Sequence, residues 1–170
     1  DNFKTTNINI YKIKNNGIIA KSRNFGVQKS KYEWICFLDS DDIWLDNKLN
    51  HLNSLILNNK NFDIFAHKEF INYKQKKIVK KIRYKYDKNI KFLDNIINEN
   101  FLSPSAVCIK RESLITLNLY YNESKKFVTA EDYHFWITLA LSKFKLYFSN
   151  EYLGVYNINT NNFSLNTSLH

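Results

Sequence analysis

The chain has 170 residues, of which 44% are hydrophobic and 16% aromatic, a composition that indicates one globular domain and excludes a disordered segment. Its 25 basic and 16 acidic side chains give a net charge of +9, which favours an anionic partner such as nucleic acid, a membrane surface or a phosphorylated small molecule. The apolar stretches are short and interrupted, unlike a transmembrane segment.

The first part of the chain predicts a strand, a turn, a helix and a second strand. Residues 8–13 alternate apolar and polar side chains, which is typical of a strand. A turn is expected at residues 15–17, where the sequence is Asn-Asn-Gly, and a short helix from residue 18 to about residue 29. Residues 33–38 are apolar after the first position, the pattern of a central strand buried on both faces of a parallel sheet.

A helix, a short strand at residues 62–67 and a basic segment come next. Four aliphatic residues at spacings of four, three and four predict one apolar helix face: Leu45, Leu49, Leu52 and Ile56. The basic segment from Lys74 to Tyr86 has two interpretations. It is either a solvated loop or hairpin edge, or a surface patch for anionic lipid or a pyrophosphate-bearing acceptor. Charge alone does not decide between them.

The rest of the chain continues the alternation of helices and strands. The predicted segments are a helix around residues 90–97, a strand at 105–110, a well-buried helix at 131–142, and strands at 145–149 and 153–158. Strands alternating with helices predict an α/β domain over residues 1–158. The polar residues 159–170 predict a tail or linker.

Two cysteines, Cys36 and Cys108, lie inside apolar, strand-like runs. The sequence lacks the paired cysteine or histidine spacings of a zinc site. Both cysteines are therefore expected to be buried small hydrophobes in a reducing compartment.

Three carboxylates crowd the end of the apolar run in the sequence WICFLDSDDIW. Asp39, Asp41 and Asp42 follow this run with only Ser40 between them. Ligands of open α/β sheets bind beyond the carboxyl ends of strands, and a hard divalent cation relieves repulsion between carboxylates. Asp39 and Asp41 can face one side of an extended loop because they are two residues apart.

An EF-hand loop and a helix cap account for this cluster less well. An EF-hand loop needs glycine at its sixth position, where this sequence has Trp44. Helix capping by Asp42 or Asp46 explains one acidic residue and not three. The chain has three glycines and no glycine-rich phosphate loop, so a bound nucleotide would need a metal and cationic side chains to neutralise its phosphates.

Residues 17–49 closely resemble the centre of bacterial family 2 glycosyltransferases of the GT-A fold. In that family an Arg-Asn-x-Gly helix precedes an apolar strand, a D-x-D motif, a tryptophan and a Lys-Leu helix. The matching residues here are Arg23, Asn24, Gly26, Asp39, Ser40, Asp41, Trp44, Lys48 and Leu49. Residues 129–141 resemble the family's later Glu-Asp-x-x-x-Trp helix, and the resemblance extends over residues 8–156.

The resemblance implies a Rossmann-like three-layer α/β/α fold with a central, mostly parallel sheet. It also implies metal-dependent, inverting transfer of a sugar from a nucleotide-diphospho-sugar, with UDP as the expected nucleotide, to a hydroxyl of a glycan or lipid-linked acceptor. The implied setting is capsule or lipooligosaccharide synthesis in the bacterial cytoplasm, at the inner face of the inner membrane. The segment between Lys74 and Lys85 is the region expected to touch that membrane.

Members of that family begin with a strand, a helix and a second strand that ends in an acidic loop, which grips the base and ribose. Nothing ahead of Asp1 supplies these elements. The glycosyltransferase domain is therefore expected to be N-terminally incomplete, with the missing unit truncated or outside this chain.

The resemblance also assigns the donor site. Asp41 would ligate Mn²⁺ or Mg²⁺, Asp39 would contact the metal, its water shell or the ribose, and Asp42 would bind the donor or support the loop. Arg23 and Asn24 would bind the donor, Arg23 through a phosphate. The alternative for Arg23 is an ordinary arginine at a helix end.

By the same resemblance, Asp132 is the general base that deprotonates the acceptor hydroxyl, with Glu131 in support. The local alternative is a capping box, because Thr129-Ala-Glu-Asp has the required spacing and places Asp132 at the third helical position. Trp136, one turn further on, either stacks on an acceptor sugar or belongs to the core. Ser105 lies in a turn that is expected to border the acceptor pocket.

Two further classes of function stay open at this point. A glycosyltransferase-like domain that has lost activity would serve as an interaction partner. A basic nucleic-acid-binding module would account for the net charge, but the sequence has no recognisable nucleic-acid-binding motif, and carboxylates at the strand end would repel phosphates. No nucleic-acid partner is therefore expected.

Overall fold

The structure is a computed structural model that describes residues 8–73, 78–81 and 86–158. Its elements are α1 (Ile19–Lys29), β1 (Trp34–Cys36), β2 (Ile43–Trp44), α2 (Lys48–Asn58), β3 (Ile64–Tyr73), β4 (Ile78–Lys81), α3 (Phe92–Asn98), β5 (Val107–Lys110), α4 (Arg111–Thr116), α5 (Glu131–Leu141) and β6 (Leu146–Ile158). Short 3₁₀ turns at Pro104–Ala106 and Lys125–Phe127 lead towards β5 and α5. The predicted α/β class is confirmed.

The described strands form one sheet in the order β1-β5-β3-β6-β2, with β4 beside β3. β3 and β6 are parallel, and the other four pairings are antiparallel. The prediction of a mostly parallel sheet is therefore wrong for the described residues. β1 stands at the end of this order and not at its centre. Its middle residue, Ile35, is its one buried residue, since an end strand needs only one covered face.

Helices cover both faces of the sheet. Side chains alternate across β3, so Ile64 and Ala66 face one core while Phe65 faces the other. The larger core packs α1, α3 and α5 against the sheet, and the smaller one packs Leu52 of α2 against Phe65 and Cys108. These layers are the three-layer α/β/α arrangement that was predicted.

The two cysteines face each other across β1 and β5. Cys36 and Cys108 are free thiols whose Sγ atoms lie 2.8 Å apart. Cys108 is buried as predicted, whereas Cys36 is half-buried because it lies on the end strand.

Residues 8–13 do not form the predicted strand. Ile8 and Ile10 are 66% and 91% exposed, and no strand among the described residues pairs with this segment. An alternating sequence becomes a strand only beside a partner that takes up its backbone hydrogen bonds. The turn that follows is as predicted, with Asn16 and Gly17 at φ angles of 54° and 77°.

The apolar face predicted for α2 differs from the observed one. Leu49 is 56% exposed, whereas its neighbour Lys48 is fully buried. The helix is rotated so that Lys48 and Leu52 face the protein, because the lysine finds partners beneath the acidic loop. Further along the chain, the two closing strand predictions join in the single strand β6.

The basic segment lies mostly outside the described residues. Residues 74–77 and 82–85 are not described, and neither is the predicted tail at residues 159–170. β4 pairs antiparallel with β3, in keeping with the hairpin interpretation of this segment. Within the described ranges, no helix has both the length and the apolar composition that crossing a bilayer requires.

Candidate active site

The three aspartates follow β1 in a tight turn that leads into β2. The Asp42 N–H donates to the Asp39 carbonyl at 3.1 Å, which closes the turn. The Asp39 N–H donates to the Ser105 hydroxyl at 3.0 Å, which ties the start of the turn to the segment before β5. The D-x-D carboxylates therefore stand at the carboxyl end of a strand, where the sequence predicted a ligand site.

Asp42 points into the protein and holds this turn on β6. Its Oδ1 accepts the Asn157 N–H at 3.0 Å, while the Asn157 side-chain amide donates to the Asp41 carbonyl. Burial raises the pKa of Asp42, and hydrogen bonds from Ser105 and Asn157 oppose that rise. Of the two roles expected for Asp42, this geometry fits support of the loop and not contact with a donor.

A buried lysine lies beneath the turn. Lys48 is fully buried, its Nζ donates to the Ser105 carbonyl at 2.5 Å, and it lies 4.1 Å from the centre of the Trp44 ring. The Trp44 Nε1–H donates to the same carbonyl at 3.0 Å. Burial lowers the pKa of Lys48 to about 8. Sequence reasoning placed Lys48 in the family pattern but gave it no role.

Ser105 is a support of the acidic turn and not part of an open pocket. It is fully buried, and both its hydroxyl and its carbonyl are engaged by the turn and its neighbours. The expectation that Ser105 binds an acceptor conflicts with this burial. A contact with the acceptor would need a side-chain surface that Ser105 does not have.

Arg23 joins the two acidic motifs. Its Nη2 donates to both carboxylate oxygens of Asp39, at 2.9 and 3.0 Å, and its Nη1 donates to Glu131 Oε1 at 2.7 Å. The side chain is 10% exposed and its guanidinium lies 5.4 Å from the centre of the Tyr121 ring. Although burial opposes the charge, Tyr121, Asp39 and Glu131 raise the pKa of Arg23.

Asn24 fastens α1 to the segment before α5. Its Oδ1 accepts the Tyr121 N–H at 2.8 Å, and its Nδ2 donates to the Tyr121 carbonyl and to Glu123 Oε1, both at 2.9 Å. The side chain has these partners within the protein, and the residue is 4% exposed. The donor contact expected of Asn24 therefore conflicts with its burial. The donor contact expected of Arg23 conflicts with its geometry, because both of its amino groups bind carboxylates of the chain.

Asp132 lies in the first turn of α5, next to Glu131. Burial raises the pKa of Asp132 to about 6; the Tyr133 N–H, which donates to Asp132 Oδ1 at 2.6 Å, opposes this rise, and Glu131 adds to it. The N-cap is Ala130 and makes no side-chain cap bond, so Asp132 is the second helical residue and the capping-box alternative is wrong. A carboxyl with such a pKa is suited to accept a proton near neutral pH.

The backbone is strained just before this pair. Thr129 has a φ angle of 80°, which is a genuine outlier for a β-branched residue. Strain of this kind persists only where the surrounding structure imposes it. Here it bends the chain between the 3₁₀ turn and α5, at the point where Glu131 meets Arg23.

Trp136 belongs to the core, as one of its two interpretations had it. Its residue surface is fully buried, its Nε1–H donates to the Leu102 carbonyl at 3.0 Å, and its ring contacts Phe135 and Tyr121. Stacking on an acceptor sugar conflicts with this position.

Glu69 is a second buried carboxyl that sequence reasoning missed. It is 1% exposed, accepts the Ser103 hydroxyl at Oε2, and has its pKa raised to about 7 by burial. No signal in the sequence marked it, because the predicted strand stopped at His67. In the part of the chain that the structure describes, no three His, Cys, Asp or Glu side chains are placed to hold a metal ion by themselves.

The protein has the GT-A glycosyltransferase fold, with three layers and two acidic motifs. The structure of S. aureus TarS in complex with UDP matches with a TM-score of 0.65 and 21% identity, covering 84% of this chain and 41% of that one. The TarS complex with UDP-GlcNAc matches with a TM-score of 0.64 and 22% identity, covering 82% and 38%. Identities this low show the fold alone.

The family follows from the sequence. The family model for glycosyl transferase family 2 matches residues 2–117, more than half of the chain, and the chain therefore belongs to that family. An uncharacterized glycosyltransferase of Methanocaldococcus jannaschii is 30% identical over 140 residues, which cover 81% of this chain and 46% of that protein. The chain thus spans less than half the length of this relative.

Proposed function

We propose that this protein transfers a sugar from a nucleotide-diphospho-sugar to a hydroxyl group, with inversion at the anomeric carbon. One observation carries the proposal: the D-x-D turn and the Glu131–Asp132 pair, far apart in sequence, meet at Arg23. Transfer needs a donor-binding group and a proton acceptor held next to each other, and the contacts of Arg23 with both motifs support these roles for them. Membership of family 2 supports the same activity.

The proposed donor site is the turn that carries Asp39 and Asp41. UDP is the proposed nucleotide, since TarS, which shares the fold, was crystallised with UDP and with UDP-GlcNAc. Mn²⁺ or Mg²⁺ fits this turn, because such ions commonly bind through one or two carboxylates together with substrate phosphates and water. The Asp39 side chain is 33% exposed, so the turn is open to such a ligand. Asp41 and Asp39 would hold the ion, which would neutralise charge on the departing diphosphate.

The proposed general base is Asp132. A carboxylate oxygen of Asp132 takes the proton of the acceptor hydroxyl while that hydroxyl oxygen bonds to the anomeric carbon. The nucleoside diphosphate leaves from the opposite face, so the configuration at that carbon inverts. Arg23 engages the neighbouring Glu131, which leaves the proton-accepting role to Asp132.

The proposed acceptor is a glycan or lipid-linked saccharide of a bacterial capsule or lipooligosaccharide, used at a membrane surface. The net charge of +9 supports an anionic acceptor or surface. The basic residues between Lys74 and Lys85 are the proposed contact, and most of them lie outside the described residues.

Asp41→Ala tests the donor site by thermal melting with Mn²⁺ and a panel of nucleoside diphosphates. For the wild type we expect the melting temperature to rise by about 5 °C or more when metal and UDP are both present near 100 times the Kd. Asp41→Ala should lose this rise because the metal loses a ligand. Asp46→Ala removes an exposed aspartate of the same region and should keep it.

Three outcomes would contradict the proposed donor site. A rise that survives Asp41→Ala, or one that needs no metal, would place the nucleotide elsewhere. No rise with any nucleoside diphosphate would favour the alternative of an inactive relative that serves as an interaction partner.

A further inference from the structure

Both terminal amino groups of the Arg23 guanidinium already bind groups of the protein. Two of its nitrogens bind carboxylates, and its third, Nε, is buried without a hydrogen-bond partner. Both ion pairs found in the described part of the chain use this one arginine. A group with one-tenth of its side chain exposed has little surface left for a phosphate.

The two carboxylates that Arg23 binds belong to different parts of the candidate site. Asp39 is in the turn after β1, and Glu131 is in the first turn of α5, directly before Asp132. A planar guanidinium offers donors in a fixed fork, so binding both carboxylates sets the distance and angle between them. Asn24, the next residue of α1, fixes the Tyr121 segment to the same helix by bonding the N–H and the carbonyl of Tyr121.

We propose that Arg23 is a positioning residue that links the D-x-D turn to the base-bearing helix α5, and that it does not contact the donor phosphates. The link rests on the proposed function, because it assigns the turn to the donor and the helix to the base. A change at Glu131 is then transmitted to Asp39 through Arg23. Arg23 and Asn24 of α1 thereby hold the D-x-D turn and the start of α5 in fixed relative positions.

This role differs from direct phosphate binding in what it predicts for Glu131→Gln. If Arg23 bound phosphate, weakening its bond to Glu131 would leave it freer to do so, and nucleotide affinity would hold or improve. If Arg23 is a link, the same change loosens Asp39 and weakens nucleotide binding. The neutral amide keeps the size of the side chain and removes the charge that holds the Nη1 group.

The first measurement is amide hydrogen exchange of residues 39–42 in Glu131→Gln. The Asp39 and Asp42 N–H groups are both hydrogen-bonded in the turn, so they report its opening. We expect exchange there to be about three-fold faster or more, within the range of coupling between members of one ion-pair network. Glu112→Gln is the matched control, since Glu112 is an exposed glutamate in the first turn of α4. Unchanged exchange in Glu131→Gln would overturn the link, whatever the protein binds.

The second measurement is the affinity for UDP with Mn²⁺. We expect Glu131→Gln and Arg23→Lys each to weaken it by about three-fold or more, and the double variant to be no weaker than Arg23→Lys alone. A lysine keeps the positive charge but cannot bridge two carboxylates, so full affinity in Arg23→Lys would favour a phosphate contact and overturn the link. Faster exchange in Glu131→Gln together with a wild type that binds no nucleotide would uphold the link and reject the proposed function.

Discussion

The carboxyl of Asp132 is shifted towards the pH at which a base is useful. Burial raises its pKa to about 6; the Tyr133 N–H and Arg23 oppose the shift, while Glu131 adds to it. A general base must be deprotonated to act, so its activity falls as pH drops through that pKa. We therefore expect kcat/KM for transfer to decline below about pH 6, with a slope of about one.

The substitution Asp132→Asn tests whether this decline of kcat/KM at low pH is due to Asp132. The amide cannot take a proton, so transfer should fall by about 10²- to 10⁴-fold, the usual contribution of a general base. The affinity for UDP with Mn²⁺ should stay near that of the wild type, because the substitution leaves the D-x-D turn in place. A flat profile between pH 5 and 7, or an active Asp132→Asn variant, would assign the base to another residue.

Strands β2, β3 and β6 pack closely around Gly154, where a side chain would make tight contacts. Gly154 pairs with Trp44 and lies opposite Glu69, and a Cβ atom there would come within 3.1 Å of Glu69 Oε1 and 3.2 Å of the Ile43 carbonyl oxygen. The Ile43 oxygen belongs to the backbone of β2, so it gives way less easily than the end of a flexible side chain. We expect Gly154→Ala to lower the free energy of unfolding by about 1–3 kcal/mol, as overpacking does.

Gly26→Ala is the control for this prediction, measured in the same urea unfolding experiment. Apart from its chain neighbours and the backbone of its own helix, no atom lies within 4 Å of the Cβ that alanine would add at this position in α1. Replacing a helical glycine by alanine should raise stability by about 0.5–1 kcal/mol. Equal effects of the two substitutions would show that the contact at Gly154 is not tight.

The elements of this fold were predictable to the extent that their signals are local. The spacing of Leu52 and Ile56 predicted α2, but the same pattern wrongly placed Leu49 inside. Lys48 is buried in its stead because its ammonium finds the Ser105 carbonyl and the Trp44 ring. Those partners come from other parts of the chain, and no periodicity reports them. The direction of β1 and its place at the end of the sheet also depend on a distant strand, β5.

The candidate site shows the same division between local and distant information. The D-x-D sequence identified Asp39 and Asp41 because the crowding of carboxylates is visible in a few residues. Their connection through Arg23 to Glu131 was not visible, since it depends on how α1, the turn after β1 and α5 pack in three dimensions. Burial of Glu69 was missed for the same reason.

At the scale of the whole molecule, buried ionisable groups make stability depend on pH in opposing ways. Glu69 and Asp132 have raised pKa values, about 7 and about 6, so the stability they contribute at low pH is lost as pH rises through those values. Burial lowers the pKa of His67 to about 3 and that of Lys48 to about 8, so their contributions are lost as pH falls. A single unfolding curve mixes these effects, and a variant is needed to separate one of them.

Glu69→Gln isolates the largest of the carboxyl effects. In the wild type, the folded state holds the Glu69 proton more tightly than the unfolded chain, whose ordinary glutamate pKa is 4.5. That advantage is complete below about pH 4.5 and is gone once pH has passed about 7, whereas the neutral amide does not titrate. Between these limits we expect the variant to gain up to about 3 kcal/mol in unfolding free energy relative to the wild type.

Urea unfolding of both proteins from pH 4.5 to 8 measures this difference. The exposed Glu112→Gln should follow the wild type throughout. Parallel curves for wild type and Glu69→Gln would mean that Glu69 is ionised in the folded protein and that Lys48 beneath the acidic turn compensates its charge.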